Sequence, residues 1–127
     1  MGIEPHLKLA AEQAATNLML NIKGVRAVLL STEDGFEVAS HVQNTAQISR
    51  LSAMASSLAA LGALAGEESK LGTCDSLVME ASDGLMVVLQ IRRADVSLIM
   101  SVIAGREAVV GQALYFSKLA SRALEIV

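Results

Sequence analysis

Few side chains in this sequence are of the types that catalyse reactions or bind metals, and their spacing fits no common catalytic motif. Histidine occurs only at His6 and His41, and Cys74 is the single cysteine. Asp34 and Asp83 each precede a glycine, which predicts hairpin turns in which the aspartate and the glycine both have positive φ. The sequence has no G-x-x-x-x-G-K-[ST] loop, no G-x-G-x-x-G, no H-E-x-x-H and no paired C-x-x-C. We therefore predict a non-enzymatic protein without catalytic, cofactor-binding or metal-binding residues.

The composition limits the kind of protein and its partners. A chain of 127 residues has the length of one domain, so residues 1–127 are predicted to fold as a single unit. Hydrophobic residues make up 53% of it and charged residues 18%, more apolar surface than so small a domain buries easily, which favours self-association. A net charge of −3 and 2% aromatic residues argue against nucleic acid as a partner. No signal sequence is recognisable at the amino terminus, and we expect a cytoplasmic protein.

The stretch from Leu51 to Gly66 contains no charged residue and predicts the central part of a helix over residues 46–68. One side of this helix carries the small residues Ser52, Ser56, Ala59, Ala63 and Gly66. A second side carries the bulkier residues Leu51, Met54, Leu58, Leu61 and Ala65. We expect the bulky side to pack on the protein's own sheet and the small side to meet a second helix. The alternative is an alanine-rich face in contact with water.

Insertion of this helix into a membrane is not expected. A membrane span needs about 20 apolar residues, whereas this uncharged run is shorter, contains serines and is flanked by charges.

The rest of the chain predicts hairpins packed against helices. Asn44 or Thr45 is expected to cap the long helix. Two further helices are predicted over residues 5–23 and 107–127, and strands over 25–31, 36–41, 73–81, 85–91 and 96–104. The order α-β-β-α-β-β-β-α predicts an α+β sandwich with a five-stranded, mostly antiparallel sheet and helices on its faces. The strands over 85–91 and 96–104 are apolar on both sides, so both of their faces should be covered.

Several segments together resemble the roadblock (dynein light chain) family. They are Ile22 to Val25, the stretch LLSTEDGFEVA from Leu29 to Ala39, the Ala/Leu-rich helix, and LVME from Leu77 followed by the turn at Asp83. The resemblance extends from about residue 7 to residue 126. It implies homodimers, or heterodimers with a related chain, joined through the second helix and third strand into one continuous sheet.

The family resemblance also implies a function. Family members are non-catalytic scaffolds that bind or regulate Ras-like small GTPases, which predicts such a GTPase as the partner besides a second copy. The implied dimer interface comprises Ser52, Ser56, Ala59, Ala63, Gly66, Cys74 and Ser76. The resemblance assigns no residue to GTPase contact and leaves open whether GTP hydrolysis is stimulated. The alternative is a profilin-like domain that senses a small ligand, which requires a cavity ringed by a few polar groups.

Overall fold

The computed structural model describes residues 2–42 and 47–127. Its helices are α1 (Pro5–Asn21), α2 (Ile48–Glu68) and α3 (Val110–Glu125). Its strands are β1 (Val25–Thr32), β2 (Glu37–His41), β3 (Ser76–Ala81), β4 (Gly84–Ile91) and β5 (Leu98–Gly105). The predicted fold class and order of elements are confirmed. The predicted capping residues Asn44 and Thr45 lie outside the described residues.

The five strands form one sheet in the order β2-β1-β5-β4-β3, and every neighbouring pair is antiparallel. Because β2 and β3 are the two edges, α2 connects one edge of the sheet to the other. Four inter-strand spacings amount to about 19 Å. A 21-residue helix is about 31 Å long, enough to cross the whole sheet. The topology therefore lays α2 across one face.

The two faces of the sheet are covered unequally. The main hydrophobic core lies under α1 and α3, where Leu7, Leu18 and Leu124 pack against inward side chains of the sheet. The opposite face has a smaller cluster under α2, formed by Ala55, Ala59, Met86, Val88 and Ile99. Both faces of β4 and β5 are covered, as predicted. The side covered by α2 buries fewer large side chains.

The hairpin turn between β1 and β2 differs in detail from the prediction. Gly35 has a φ of 93°, whereas Asp34 is not among the described non-glycine residues with positive φ. The Thr32 hydroxyl donates to the Asp34 carboxylate at 2.6 Å and accepts from the Phe36 amide at 3.0 Å. This pattern matches a three-residue loop whose last residue is left-handed. The expectation of positive φ is confirmed for Gly35 and wrong for Asp34, whose carboxylate is held by the hydrogen bond from the Thr32 hydroxyl.

Candidate interaction surface

The face of α2 that contacts the sheet is lined by small residues. Ser52, Ala55, Ala59 and Gly62 are buried there. Ala59 is 7% exposed and belongs to the cluster with Met86, Val88 and Ile99. The Ser56 hydroxyl donates to the Glu33 carbonyl in the turn between β1 and β2. Small side chains on the helix therefore meet bulky side chains on the sheet.

The carboxyl-terminal half of α2 lies close to the segment that leads into β3. A Cβ atom on Gly62 would stand 3.0 Å from the Cys74 sulfur and 3.0 Å from Cδ1 of Leu77. A Cβ atom on Gly66 would collide with the carbonyl oxygen of Gly72. The two glycines thus permit a backbone approach that alanine would obstruct, and they fix this half of α2 above β3.

The opposite side of α2 is apolar and exposed. Met54 is 48% exposed, Leu61 61% and Leu64 53%. We define the outer face of α2 as these three residues together with the exposed Ala53, Ser57 and Ala60. None of the six carries a charge. An exposed and contiguous apolar surface of this kind is typical of a protein contact.

The predicted orientation of α2 is therefore wrong for most of its residues, although Leu58 of the bulky side packs on the sheet as predicted and Ala63 of the small side is exposed. The small residues Ser52 and Ala59 face the protein's own sheet, whereas the bulky residues Met54 and Leu61 point outward. The reason is steric: Met86, Val88 and Ile99 already fill the face of the sheet beneath the helix, so the helix residues directly above them are small, and Leu58 packs beside them while partly buried. Periodicity distinguished the two sides of the helix, but it did not show which of them met the sheet.

The seven residues predicted at the dimer interface have different surroundings. Ser52 and Ala59 are buried within their own subunit, so their expected position on an outward surface is a mistaken one. Ser56 and Gly66 are half-buried by contacts with Glu33 and Gly72. The remaining three lie nearer the surface, with Ala63 exposed and Cys74 and Ser76 half-buried at the start of β3. Contact of these residues with a second copy stays a prediction.

The edge strand β3 continues the exposed surface. Among the described residues this strand pairs with β4 alone, so its other side presents backbone groups without a neighbouring strand. Val78 is 39% exposed and Met79 53%. Because Leu77 contacts α2 near Gly62, this open edge lies beside the half of α2 that carries Leu61 and Leu64.

The polar residues considered above for catalysis or metal binding are exposed or form local ion pairs. His6 and His41 are exposed at the ends of α1 and β2. Asp83 forms an ion pair with Arg106 at 3.2 Å. Over residues 2–42 and 47–127, no three His, Cys, Asp or Glu side chains are grouped so that they could hold a metal ion.

The loop between β4 and β5 contains an ion pair with a local structural role. Arg93 contacts the Asp95 carboxylate through Nε at 2.9 Å and through a terminal nitrogen at 3.1 Å. These hydrogen bonds, followed by one from the Val96 amide, lower the pKa of Asp95 from its ordinary 3.8. A further Arg93 nitrogen donates to the carbonyl of Leu124 near the end of α3. The loop is thereby attached to the last helix.

By length and composition alone, α2 is the one helix in the described part of the chain that could cross a membrane. Helices of this kind also occur in the cores of soluble proteins. Here one side of α2 is packed on the sheet.

Comparisons with known proteins identify the fold. No protein-family profile matches the sequence, and no curated protein matches it. A Roadblock/LC7 domain from Streptomyces avermitilis superposes with a TM-score of 0.79 at 22% identity, over 89% of this chain and 92% of that chain. Myxococcus xanthus MglB gives a TM-score of 0.83 at 12% identity, over 99% and 92% of the two chains. The gliding protein MglB from Thermus thermophilus gives 0.83 at 16% identity, over 98% and 92%. The chain therefore has the Roadblock/LC7 fold.

Proposed function

We propose that this chain is a non-catalytic, cytoplasmic scaffold of the roadblock type, which forms dimers and regulates a Ras-like small GTPase. The observation that carries the proposal is the exposed apolar surface formed by the outer face of α2 and the open edge of β3. Structural similarity to two MglB proteins and the sequence resemblance to the roadblock family support the class of partner.

In the proposed dimer, the β3 strands of two copies pair at their open edges and extend the sheet. The carboxyl-terminal half of α2 lies above β3, so this pairing would bring Leu61 and Leu64 to the neighbouring copy. Their side chains are 61% and 53% exposed in the single subunit, and a partner would remove them from water.

The other half of α2 is the surface we propose for the GTPase. Met54 lies at this end, away from β3, and is 48% exposed. The turn that contains Gly35 packs against Ala53, and the next residue, Phe36, is 65% exposed. Phe36 and Met54 thus provide apolar anchors at a distance from the dimer contact. Large exposed side chains of this type commonly supply most of the binding energy at protein interfaces.

A binding experiment with matched variants tests the two surfaces separately. Immobilised protein is incubated with the Ras-like GTPases of the source organism, loaded with GTP or GDP, while light scattering measures its mass in solution. We expect the wild type to be a dimer and to retain one GTPase in a nucleotide-dependent way. Failure to retain any GTPase in either state would contradict the proposed partner.

Three substitutions distinguish the dimer contact from the GTPase contact. Leu64→Glu should dissociate the dimer, because an unpaired charge buried in the contact costs about 3 kcal/mol or more. Phe36→Asp should abolish GTPase retention and leave the dimer intact. Leu20→Glu is the control, since Leu20 is 79% exposed on α1 and should affect neither measurement. A Leu64→Glu protein that remained fully dimeric would contradict the proposed dimer contact.

A further inference from the structure

A groove of about 340 Å³ lies between α1 and α3, on the face of the sheet opposite α2. Its α3 wall is apolar and includes Phe116, Leu119 and Ala123. Its α1 wall includes three amide side chains, those of Gln13, Asn17 and Asn21. The groove is separate from both surfaces of the proposed function, because they lie on the other face and edge of the sheet.

No charged side chain lines this groove, although the chain as a whole carries a net charge of −3. A charged segment entering the groove would lose water without gaining an opposite charge, at a considerable cost. Leu119 lines the groove and is 49% exposed. The absence of charged side chains and the exposure of Leu119 therefore favour an uncharged, partly apolar ligand in the groove.

The three amides form a row with a regular repeat. They occur every four residues along α1, which places them about 6.0 Å apart along the helix axis. Two residues of a β-strand advance by about 6.4 to 6.8 Å, so backbone groups on one side of such a strand repeat at nearly the same distance. Each amide can both donate and accept a hydrogen bond. In the described residues, none of the three amides bonds to another side chain or to the backbone of another element.

We propose that this groove binds an extended, uncharged peptide segment of a partner protein. The backbone of the segment faces Gln13, Asn17 and Asn21, and its apolar side chains face Leu119 and Ala123. A helical segment fits less well, because its backbone groups are already bonded internally and would leave the amides unpaired. This binding function is additional to dimerisation and GTPase regulation and does not depend on either.

The test uses a panel of capped and fluorescently labelled peptides of about seven residues, long enough to span the groove in extended form. Leucine, valine or alanine occupies alternate positions, with glutamine or serine between them. We expect members of the panel to bind the wild-type protein in fluorescence anisotropy. A matched panel with N-methylated backbone amides should bind about tenfold more weakly, since it lacks the donors that the side-chain amides accept from. Absence of binding by every peptide would overturn the proposal.

Two variants distinguish an extended segment from other occupants. Asn17→Leu keeps the groove uncharged and makes it more apolar, yet it should weaken peptide binding about tenfold because hydrogen bonds to the backbone are lost. Equal or tighter binding by Asn17→Leu, or binding restricted to peptides stapled into helices, would overturn the extended mode. Thr16→Val is the control on the same helix, because Thr16 does not line the groove and its hydroxyl donates to the Glu12 carbonyl within α1.

A charge placed in the groove gives an independent readout. Leu119→Asp should abolish peptide binding and leave both the dimer mass and GTPase retention unchanged. A change of oligomeric state in Leu119→Asp would instead identify the groove as a contact between copies and overturn the peptide proposal. Circular dichroism of each variant shows whether the total helix content is retained. A failure of the groove proposal is thus distinguishable from a failure of the proposed function.

Discussion

The orientation of α2 can be tested by exchanging size between its two sides. In Ala59→Leu, a large side chain is added where Ala59 is 7% exposed and packs on Met86 and Val88. In Leu61→Ala, a large side chain is removed where Leu61 is 61% exposed. Alanine and leucine both favour helices, so intrinsic helix propensity changes little in either variant. The comparison therefore reports mainly on packing.

The expected changes in the free energy of unfolding depend on which side of α2 faces the sheet. Ala59→Leu should lower the free energy of unfolding by about 1 to 3 kcal/mol, because it overpacks a filled site. Leu61→Ala should change the stability of the single subunit by about 0.5 kcal/mol at most, as is usual for exposed positions. If the bulky side faced the sheet, Leu61→Ala would instead cost about 2 to 5 kcal/mol and Ala59→Leu almost nothing.

The assay is urea unfolding followed by circular dichroism at two protein concentrations. The part of the stability that depends on concentration reports on the dimer, and the remainder reports on the subunit. A subunit that tolerated Ala59→Leu but lost stability in Leu61→Ala would refute the packing described for α2. The dimer contribution should fall in Leu61→Ala, because this side chain lies on the outer face.

Two further predictions concern the loops. Gly35→Ala should lower the free energy of unfolding by about 1 to 2 kcal/mol, since Gly35 has a φ of 93° and left-handed backbone is costly for alanine; an unchanged urea midpoint would contradict this. Asp95→Asn should be less stable than the wild type at neutral pH, because hydrogen bonds from Arg93 lower the pKa of Asp95 below 3.8 in the folded protein. That stability is present above pH 3.8 and is lost as the pH falls through the lower, folded-state pKa, so thermal unfolding of the two proteins should converge in acid. A difference that persisted unchanged at low pH would refute this role of the ion pair.

The helices and hairpins were predictable because the residues that determine them are close together in the sequence. Pro5 and Gly24 bracket α1, and the glycines at 35 and 84 accompany the two hairpin turns. Errors occur at the boundaries of the elements. The third strand begins at Ser76 rather than at 73, in a segment where Arg92 donates to the Cys74 carbonyl at 2.8 Å. The third helix begins at Val110 rather than at 107, after a turn in which the Ala108 amide bonds to the Gly105 carbonyl.

The candidate sites were predictable only in part. The sequence indicated correctly that the central part of α2, from Leu51 to Gly66, is uncharged and has two different sides. The choice between those sides depended on the bulk of Met86, Val88 and Ile99 on separate strands. The groove between α1 and α3 left one local signal, the four-residue spacing of Gln13, Asn17 and Asn21. The spacing alone did not predict a groove, because the apolar wall opposite the amides belongs to α3, which is distant in the sequence.

The open edge of β3 also affects how unassembled subunits behave in solution. Over Ser76–Ala81 the strand has no proline, and Glu80 is its single charged residue. Edge strands that lack charges and proline readily pair with further strands and promote aggregation. Copies that have not found a partner should therefore be poorly soluble when overproduced. Replacing Val78 with lysine would act as a gatekeeper against such aggregation.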